Sequence, residues 1–484
     1  MSEYIKSITN PRLKLEILGE EDVRRIHQAT LWIIENVGIK FPSRQALDIW
    51  TGAGAHVDRD RMIIKAPADL IEGALKHCPP SYPLAARNPD QDLTLDGNHV
   101  YLGTDGCGVE VLDLETGQRR ASRLQDVRDI ARVADFLEEV AFHWVPVSAQ
   151  DKPVATRGLH EIEAIWENST KHVQTESIYS DREARVAIEM ASMIAGGKEA
   201  LRKRPVLSLM QCTASPLGHD GGSIDAALLA AGAGLPTGFM TMAACLTTGP
   251  ATLAGNLAVG NAEVIAGTAL LQLAHPGAPV FYAAAQTASD LRTGAYTGGG
   301  PEDFLFGGAT NALANFYGIP LSMGTFATGA KDANWQAGLE GGLSTFMSSV
   351  VMSDMLLGVG FLHGSRVWSY PEMMLDCEIF SIIHKMMQGI IVNDETLALD
   401  TIAAVGPAGS FLTQTHTRQH MRDVFLTEFM DRRPYADWEA KKDDARDWAR
   451  AKAMRILAEH EPRPLEQRLS VEFQRLIDSV EVPA

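Results

Sequence analysis

Cysteine is scarce and scattered in this chain. Cys78, Cys107, Cys212, Cys245 and Cys377 form no C-x-x-C pair, which excludes a thiolate zinc ribbon or a dithiol redox motif and predicts a reducing compartment. Metal-ligand spacing is also missing: His416 and His420 stand four apart in HTRQH, but Thr417 takes the place of the glutamate of H-E-x-x-H, so no tightly bound metal is expected. Positive charge is in deficit, with 43 Lys and Arg against 61 Asp and Glu and a net charge of −18. A surface that binds nucleic acid by releasing phosphate counterions needs clustered cations, so nucleic acid is not an expected partner. No uninterrupted apolar run is long enough to span a bilayer. The best tract, Ala251–Ala274, carries Asn256, Asn261, Glu263 and Gln272, so no membrane span is expected. The opening MSEYIKSITNPRLK lacks the apolar core of a leader peptide, and a cytoplasmic protein is expected.

What the chain does have is 45% apolar content over 484 residues, enough for one large core or two moderate ones. Residues 1–121 read as an α+β segment. An arm, Ser2–Lys14, is followed by amphipathic helices at Glu20–Asn36 and Ser43–Thr51, then β-like pieces at Met62–Lys65 and the alternating run Leu93–Leu102. From Ser122 the rhythm changes: helices alternate with apolar runs at Val140–Val147, His172–Ser177, Pro205–Gln211, Pro236–Ala243, Pro279–Ala285, Pro320–Phe326 and Val359–His363. Strands this apolar, each separated by a helix, imply a parallel sheet covered on both faces. No G-x-G-x-x-G turn follows the first of them, which favours an α/β TIM-type (β/α)8 barrel over an open dinucleotide-binding sheet, with the barrel at 122–371 and its eighth strand at Ser365–Tyr370. Residues 372–484 read as a helical extension whose last, charged helix predicts a solvated or oligomer-forming face.

Two stretches stand out within the barrel. Pro279–Asp303 and Pro320–Glu340 each run from a short apolar strand into a Gly-, Ser- and Thr-rich loop bearing charged residues before a helix resumes. Loops at the C-terminal ends of barrel strands build active sites, so both are functional candidates. Arg292 and Glu302, in the first of these loops, could pair and fix its shape.

The ordered motifs DLRTGAYTGGGPE at 290–302, KDANWQAGLE at 331–340, LDCEIF at 375–380, VGPAGSFLTQTHT at 405–417 and DRRPYADW at 431–438 resemble the trimethylamine methyltransferase family. The resemblance covers nearly the whole chain. It implies a TIM-type barrel that moves a methyl group from a methylated amine to the reduced cobalt of a corrinoid held by a separate protein. The corrinoid, cobalamin-like, would be a co-substrate, since this chain lacks the D-x-H-x-x-G cobalamin-binding signature. The archaeal trimethylamine branch carries pyrrolysine in the loop after the sixth strand, near Ala327 here. This chain reads ATGAKDAN there, which points to the branch without pyrrolysine, whose members demethylate quaternary amines such as glycine betaine.

That assignment has chemical sense. A quaternary ammonium has no lone pair and already carries a neutral tertiary amine as leaving group, and cobalt(I) is itself the nucleophile, so the protein has only to position the methyl group and exclude water. The expected pocket holds the ammonium against aromatic faces and binds a carboxylate with a few polar groups. Aromatic candidates at strand ends or in site loops are Tyr101, Trp144, Tyr282, Phe326, Phe361 and Trp368, while Trp335, at a helix start, reads as a packing residue. His363 is the expected carboxylate donor, with Gln174, Glu176 and Gln211 at other strand ends and Asp105, in the Thr104–Gly106 loop, facing the ammonium. Two alternatives stay open: an aldolase-type barrel using Lys331 as a Schiff-base amine, which would need a desolvating pocket, and a betaine-binding protein without turnover.

Overall fold

The computed structural model describes residues 7–9, 15–106, 108–296 and 298–481, so most of the expected arm Ser2–Lys14 and Cys107 lie outside the described residues. Its centre is a closed barrel of parallel strands: β1 (His99–Thr104), β2 (Val140–Trp144), β3 (His172–Thr175), β4 (Leu207–Cys212), β5 (Thr237–Thr241), β6 (Val280–Ala284), β7 (Leu321–Gly324) and β8 (Met355–Val359). β8 returns to β1 with Met355 opposite Tyr101 and Leu356 opposite Leu102, so no edge of the parallel sheet is left open. Helices α1 (Leu124–Phe136), α2 (Arg157–Asn168), α3 (Asp181–Ala195), α4 (Gly221–Ala233), α5 (Leu253–Ala274), α6 (Pro301–Tyr317), α7 (Trp335–Val350) and α8 (Tyr370–Met387) follow the strands in turn. The strands are apolar on both faces because both faces are covered. On β6, Val280, Tyr282 and Ala284 join the core under the helices, while Phe281 and Ala283 join the cluster inside the barrel.

The expected eighth strand is corrected by this topology. The strand that closes the barrel is β1, drawn from the segment before residue 122, and not Ser365–Tyr370. Val367–Trp368 instead turns back to pair antiparallel with Phe361–Leu362 and parallel with Glu110–Leu112, forming a small sheet beside the mouth. The seventh expected strand, Val359–His363, is displaced too, because α7 ends early enough for Met355–Val359 to enter the barrel. The extended run then breaks at Gly358, whose φ is +135°. A Cβ on Gly358 would lie 1.8 Å from the Thr325 carbonyl, so the crossing admits glycine alone.

A hairpin, Tyr82–Leu84 with Leu93–Leu95, plugs the end of the barrel where the strands begin. Its leucines pack on Phe142, Met210 and Phe281 from below, and the Tyr82 hydroxyl donates to the Val280 carbonyl at 2.7 Å. Among the described residues, α5 is the one helix long and apolar enough for a bilayer, yet 83% of its apolar window is buried within the protein. Its polar residues are each used there. Asn261 binds Thr30 at 2.7 Å and Tyr317 at 2.8 Å, and Glu263 accepts from Ser215, Thr241 and the Leu217 amide at 2.8–2.9 Å. After α8 the chain stands away from the barrel, with Ile390, Val392, Leu399, Leu412, Val424 and Leu426 each 66–86% exposed. It returns in helix Ala445–Glu459, locked at one end by Arg446 on Asp332 (2.8 Å) and at the other by His460 on Asp135 (2.9 Å).

Candidate functional site at the barrel mouth

The C-terminal ends of the strands surround a cavity of about 350 Å³. Its wall is contributed by Asp105 and Gly106 after β1, Trp144 on β2, Cys212 on β4, Met240 and Met242 at β5, Ala285 and Gln286 after β6, Met323–Thr325 on β7, Ala327, and Gly364–Arg366 after β8, with Tyr296 and Asp303 reaching in from the β6–α6 connection. Close approach fixes the β1 side. Thr104 Oγ1 donates to the Trp144 carbonyl at 2.6 Å and accepts from its amide at 2.9 Å, and the next turn lies flat on the indole. A Cβ on Gly106 would fall 2.4 Å from Trp144 Cε2, so any larger residue would push the loop off the ring.

Two buried carboxyls give the cavity its electrostatics. Asp105 accepts from the Gly106 amide at 2.9 Å and from Ser365, but burial outweighs these donors and pushes its pKa up to about 6. Asp303, on the first turn of α6, accepts from Thr287 and from the Gly299 and Gly300 amides at 2.6 and 3.3 Å, and burial likewise raises it to about 6. Both are therefore mostly ionised at neutral pH and half-protonated near pH 6. Tyr296 spans the mouth: its hydroxyl donates to the Ala285 carbonyl at 3.2 Å, while its ring lies 3.7 Å from where a Gly364 Cβ would sit. Three methionine thioethers and the Trp144 face supply soft, polarizable surface between the charges.

Among the described residues of this wall, no group is poised as a nucleophile. Burial and the neighbouring Glu176 carboxylate, 3.9 Å away, raise the Cys212 thiol well above its ordinary value and keep it protonated. The Thr325 hydroxyl donates to the Leu357 carbonyl at 2.9 Å, the Tyr296 hydroxyl is committed to Ala285, and Ser365 to Asp105. Lys331 is exposed and bonds to the Gly329 carbonyl outside the cavity, so the desolvating pocket required for a Schiff-base amine is not formed around it. Among the described residues, no three His, Cys, Asp or Glu side chains gather as a metal site would need.

Of the residues singled out from the sequence, Asp105 and Trp144 line the cavity, and Glu176 lines an adjoining hollow of about 500 Å³ that shares Cys212. The others are placed elsewhere. Tyr101 packs in the lower barrel against His99, and Gln174 lies beside Met210 and Ser208 in the barrel interior. Gln211 donates to the Ile178 carbonyl at 3.1 Å, and the Tyr282 hydroxyl points out to Asn261 on α5 at 3.2 Å. Phe326 packs outward over Gly341, whereas Phe361 and Trp368 meet edge to face at 5.2 Å beneath the side sheet. Adjacent strand residues point to opposite faces, which puts Phe281 inside and Tyr282 outside.

His363 sits at the rim without entering the wall. Desolvation, then the charges of Lys331, Arg366 and Arg119, lower its pKa. The expected Arg292–Glu302 pair does not form: Arg292 is 87% exposed and closes on Asp290 at 2.7 Å, two residues away. Trp335 is 79% exposed and packs on no core. Sequence reading missed Tyr296, Asp303, Gln286, Arg366 and the three methionines. Tyr296 and Asp303 lie within the very stretch, Pro279–Asp303, that drew attention, and the Gly298–Gly300 turn between them brings both back to the opening.

Comparison with known proteins gives a consistent picture. The family described as trimethylamine methyltransferase (MTTB) matches residues 1–481. Similar proteins include a trimethylamine methyltransferase of Desulfitobacterium hafniense strain DSM 10664 / DCB-2, 32% identical over 96% of this chain and 93% of its own. A glycine betaine methyltransferase of D. hafniense strain Y51 is 31% identical over 96% and 97%. The crystal structure of the Methanosarcina barkeri monomethylamine methyltransferase superposes with a TM-score of 0.56 at 11% identity, covering 97% of this chain and 90% of that one, a likeness of fold.

Proposed function

Because the chain belongs to the trimethylamine methyltransferase family, we propose that it takes a methyl group from a quaternary amine, glycine betaine or a related betaine, and delivers it to a corrinoid carried by a separate protein. The observation that carries this reading is a cavity suited to a cation, with two carboxyls, an indole face and thioethers, whose described wall residues include no free nucleophile. The methyl acceptor must then enter from outside, and the barrel mouth is the open side. The corrinoid, as co-substrate, supplies the reduced cobalt that attacks the methyl carbon.

The chain's own residues do the rest. Asp105 and Asp303 hold the positive nitrogen by their fields, and Trp144 presents a π face to its methyl groups. As the N–CH3 bond breaks, its electron pair remains on nitrogen and a neutral tertiary amine departs. No proton has to be supplied for that step, and the charge that held the substrate is gone from the product. Near the position where the archaeal branch carries pyrrolysine, the wall has only the methyl side chain of Ala327, consistent with a donor that needs no adduct. We also propose a homo-oligomer, in which the exposed apolar side chains of Val392, Leu399, Leu412, Val424 and Leu426 pack against a second copy.

The test is a spectral assay with purified protein, free cob(I)alamin and a panel of methylated amines. Growth of methylcobalamin with one or more betaines and none with trimethylamine is the expected result. Betaine binding by calorimetry without any methylation across the panel would replace this reading with a binding protein.

A further inference from the structure

Resting on the betaine reading, we propose that Arg366 is the specificity-determining residue that selects a donor bearing a carboxylate, with the donor's anionic end on the guanidinium and its ammonium on the Asp105 and Asp303 side of the cavity. Among the described residues, the wall carries one full positive charge, Arg366, beside two carboxyls. Three other exposed arginines close on carboxylates of their own. Arg292 closes on Asp290, Arg119 on Glu110, and Arg446 on Asp332 and Asp444. The Arg366 side chain has neither an ion pair nor a hydrogen bond among the described residues. The two nearby carboxylates are already taken: Glu110 by Arg119 at 3.6 Å, and Asp105 by Ser365 and the Gly106 amide.

The backbone of Arg366, by contrast, is held firmly. Its amide donates to the Leu362 carbonyl at 3.2 Å, and its own carbonyl accepts from the Val109 and Glu110 amides at 3.1 and 3.2 Å. His363, Gly364 and Ser365 just before it all have positive φ (+57°, +64° and +57°), a sharp turn that presents residue 366 at the opening. A fixed backbone, an uncommitted planar guanidinium and a cavity between suit bidentate capture of a carboxylate. A purely cationic donor would leave Arg366 unpaired and repelled, whereas a zwitterion answers both signs of charge in the wall. The role expected for His363 from sequence thus passes to the residue three positions on.

Matched donors test this. Glycine betaine is compared with its carboxamide, which keeps the trimethylammonium and the length but loses the anion, by calorimetric binding and by methylation of free cob(I)alamin. In the wild type the acid should bind more tightly than the amide. Arg366→Ala should lose about 10- to 100-fold in affinity for the acid and change the amide less than about threefold. Arg366→Lys should recover part of the loss, because the charge returns without the planar fork. Equal losses for acid and amide, or no preference for the acid in the wild type, overturns the assignment. Should the wild type bind both donors and methylate with neither, the methyltransferase reading fails while the binding ratio still decides the role of Arg366. A melting temperature for each variant guards against loss of fold.

Discussion

Protonation of the two cavity carboxyls should switch off substrate binding, and the structure sets the steepness. Asp105 and Asp303 both have pKa values of about 6, raised by burial. A carboxyl with that pKa is about ten-elevenths ionised at pH 7 and about one-eleventh at pH 5, a tenfold loss per group. If both charges face the ammonium, betaine affinity should fall about 100-fold between pH 7 and pH 5, approaching two decades per two pH units with each group adding its own decade. Asp303→Asn removes one titrating group, so its affinity should be lower at pH 7 and fall only about tenfold over the same range. Calorimetry with glycine betaine from pH 5 to 8 reads this directly and avoids the instability of cob(I)alamin in acid. The same substitution gives a stability check whose sign is fixed. The folded pKa of Asp303 lies above the ordinary carboxyl value of about 4, so the native state binds an extra proton between about pH 4 and 6. Its contribution to stability is present below pH 4 and is lost as pH rises through 6. Asparagine suffers no such loss, so the variant should gain on the wild type as pH rises, by up to about 2–3 kcal/mol at pH 7. A flat affinity profile, or an unchanged slope in Asp303→Asn, would refute the view that these carboxyls hold the cation.

Trp144→Leu should weaken betaine binding by about 0.5–2 kcal/mol through loss of the π face, while Trp144→Phe should keep part of it; calorimetry measures both. Lys331→Ala should retain methyl transfer to free cob(I)alamin, and borohydride with carbonyl compounds should trap no adduct on the wild type, because the amine lies in solvent outside the cavity. Light scattering should report a mass above the 52.5 kDa of one chain, and the paired change Leu412→Glu with Leu426→Glu should lower it; a wild-type monomer would show that this apolar stretch is not a subunit contact.

The repeat of strand and helix from β2 to β7 is legible because each buried strand is a short apolar run and each helix is long enough to show its own period. β1 is hidden for a physical reason: it sits among the short antiparallel pieces of the plug and shares their alternating pattern, so nothing local marks it as parallel and central. The site divides similarly. Asp105 and Trp144 sit at strand ends, where the direction of the chain alone puts them at the mouth. Tyr282 shows the limit, because its neighbour Phe281 is equally apolar and only the barrel decides which of the two faces inward. Tyr296, Asp303 and Arg366 depend on the path of loops with positive-φ turns, which residue type suggests but does not trace. Arg292 and Glu302 look like a pair in a flat sequence. In space, the shorter link from Arg292 to Asp290 wins.

The seam between β1 and β8 has a consequence for how the chain is made. Tyr101 meets Met355 only after about 250 intervening residues have been synthesised, a contact of very high sequence separation. Until then a growing sheet starting at β1, with the plug hairpin already beneath it, has its edge paired by Ile8–Thr9 at Val100 and His99 but lacks β8 from Tyr101 onward. Such an edge pairs readily with other chains, so nascent or heat-opened molecules should be most prone to aggregate through β1 and β8. Closure of this seam would then be a late step in folding, and a truncated chain ending before Met355 should be recovered as aggregate rather than as a smaller barrel.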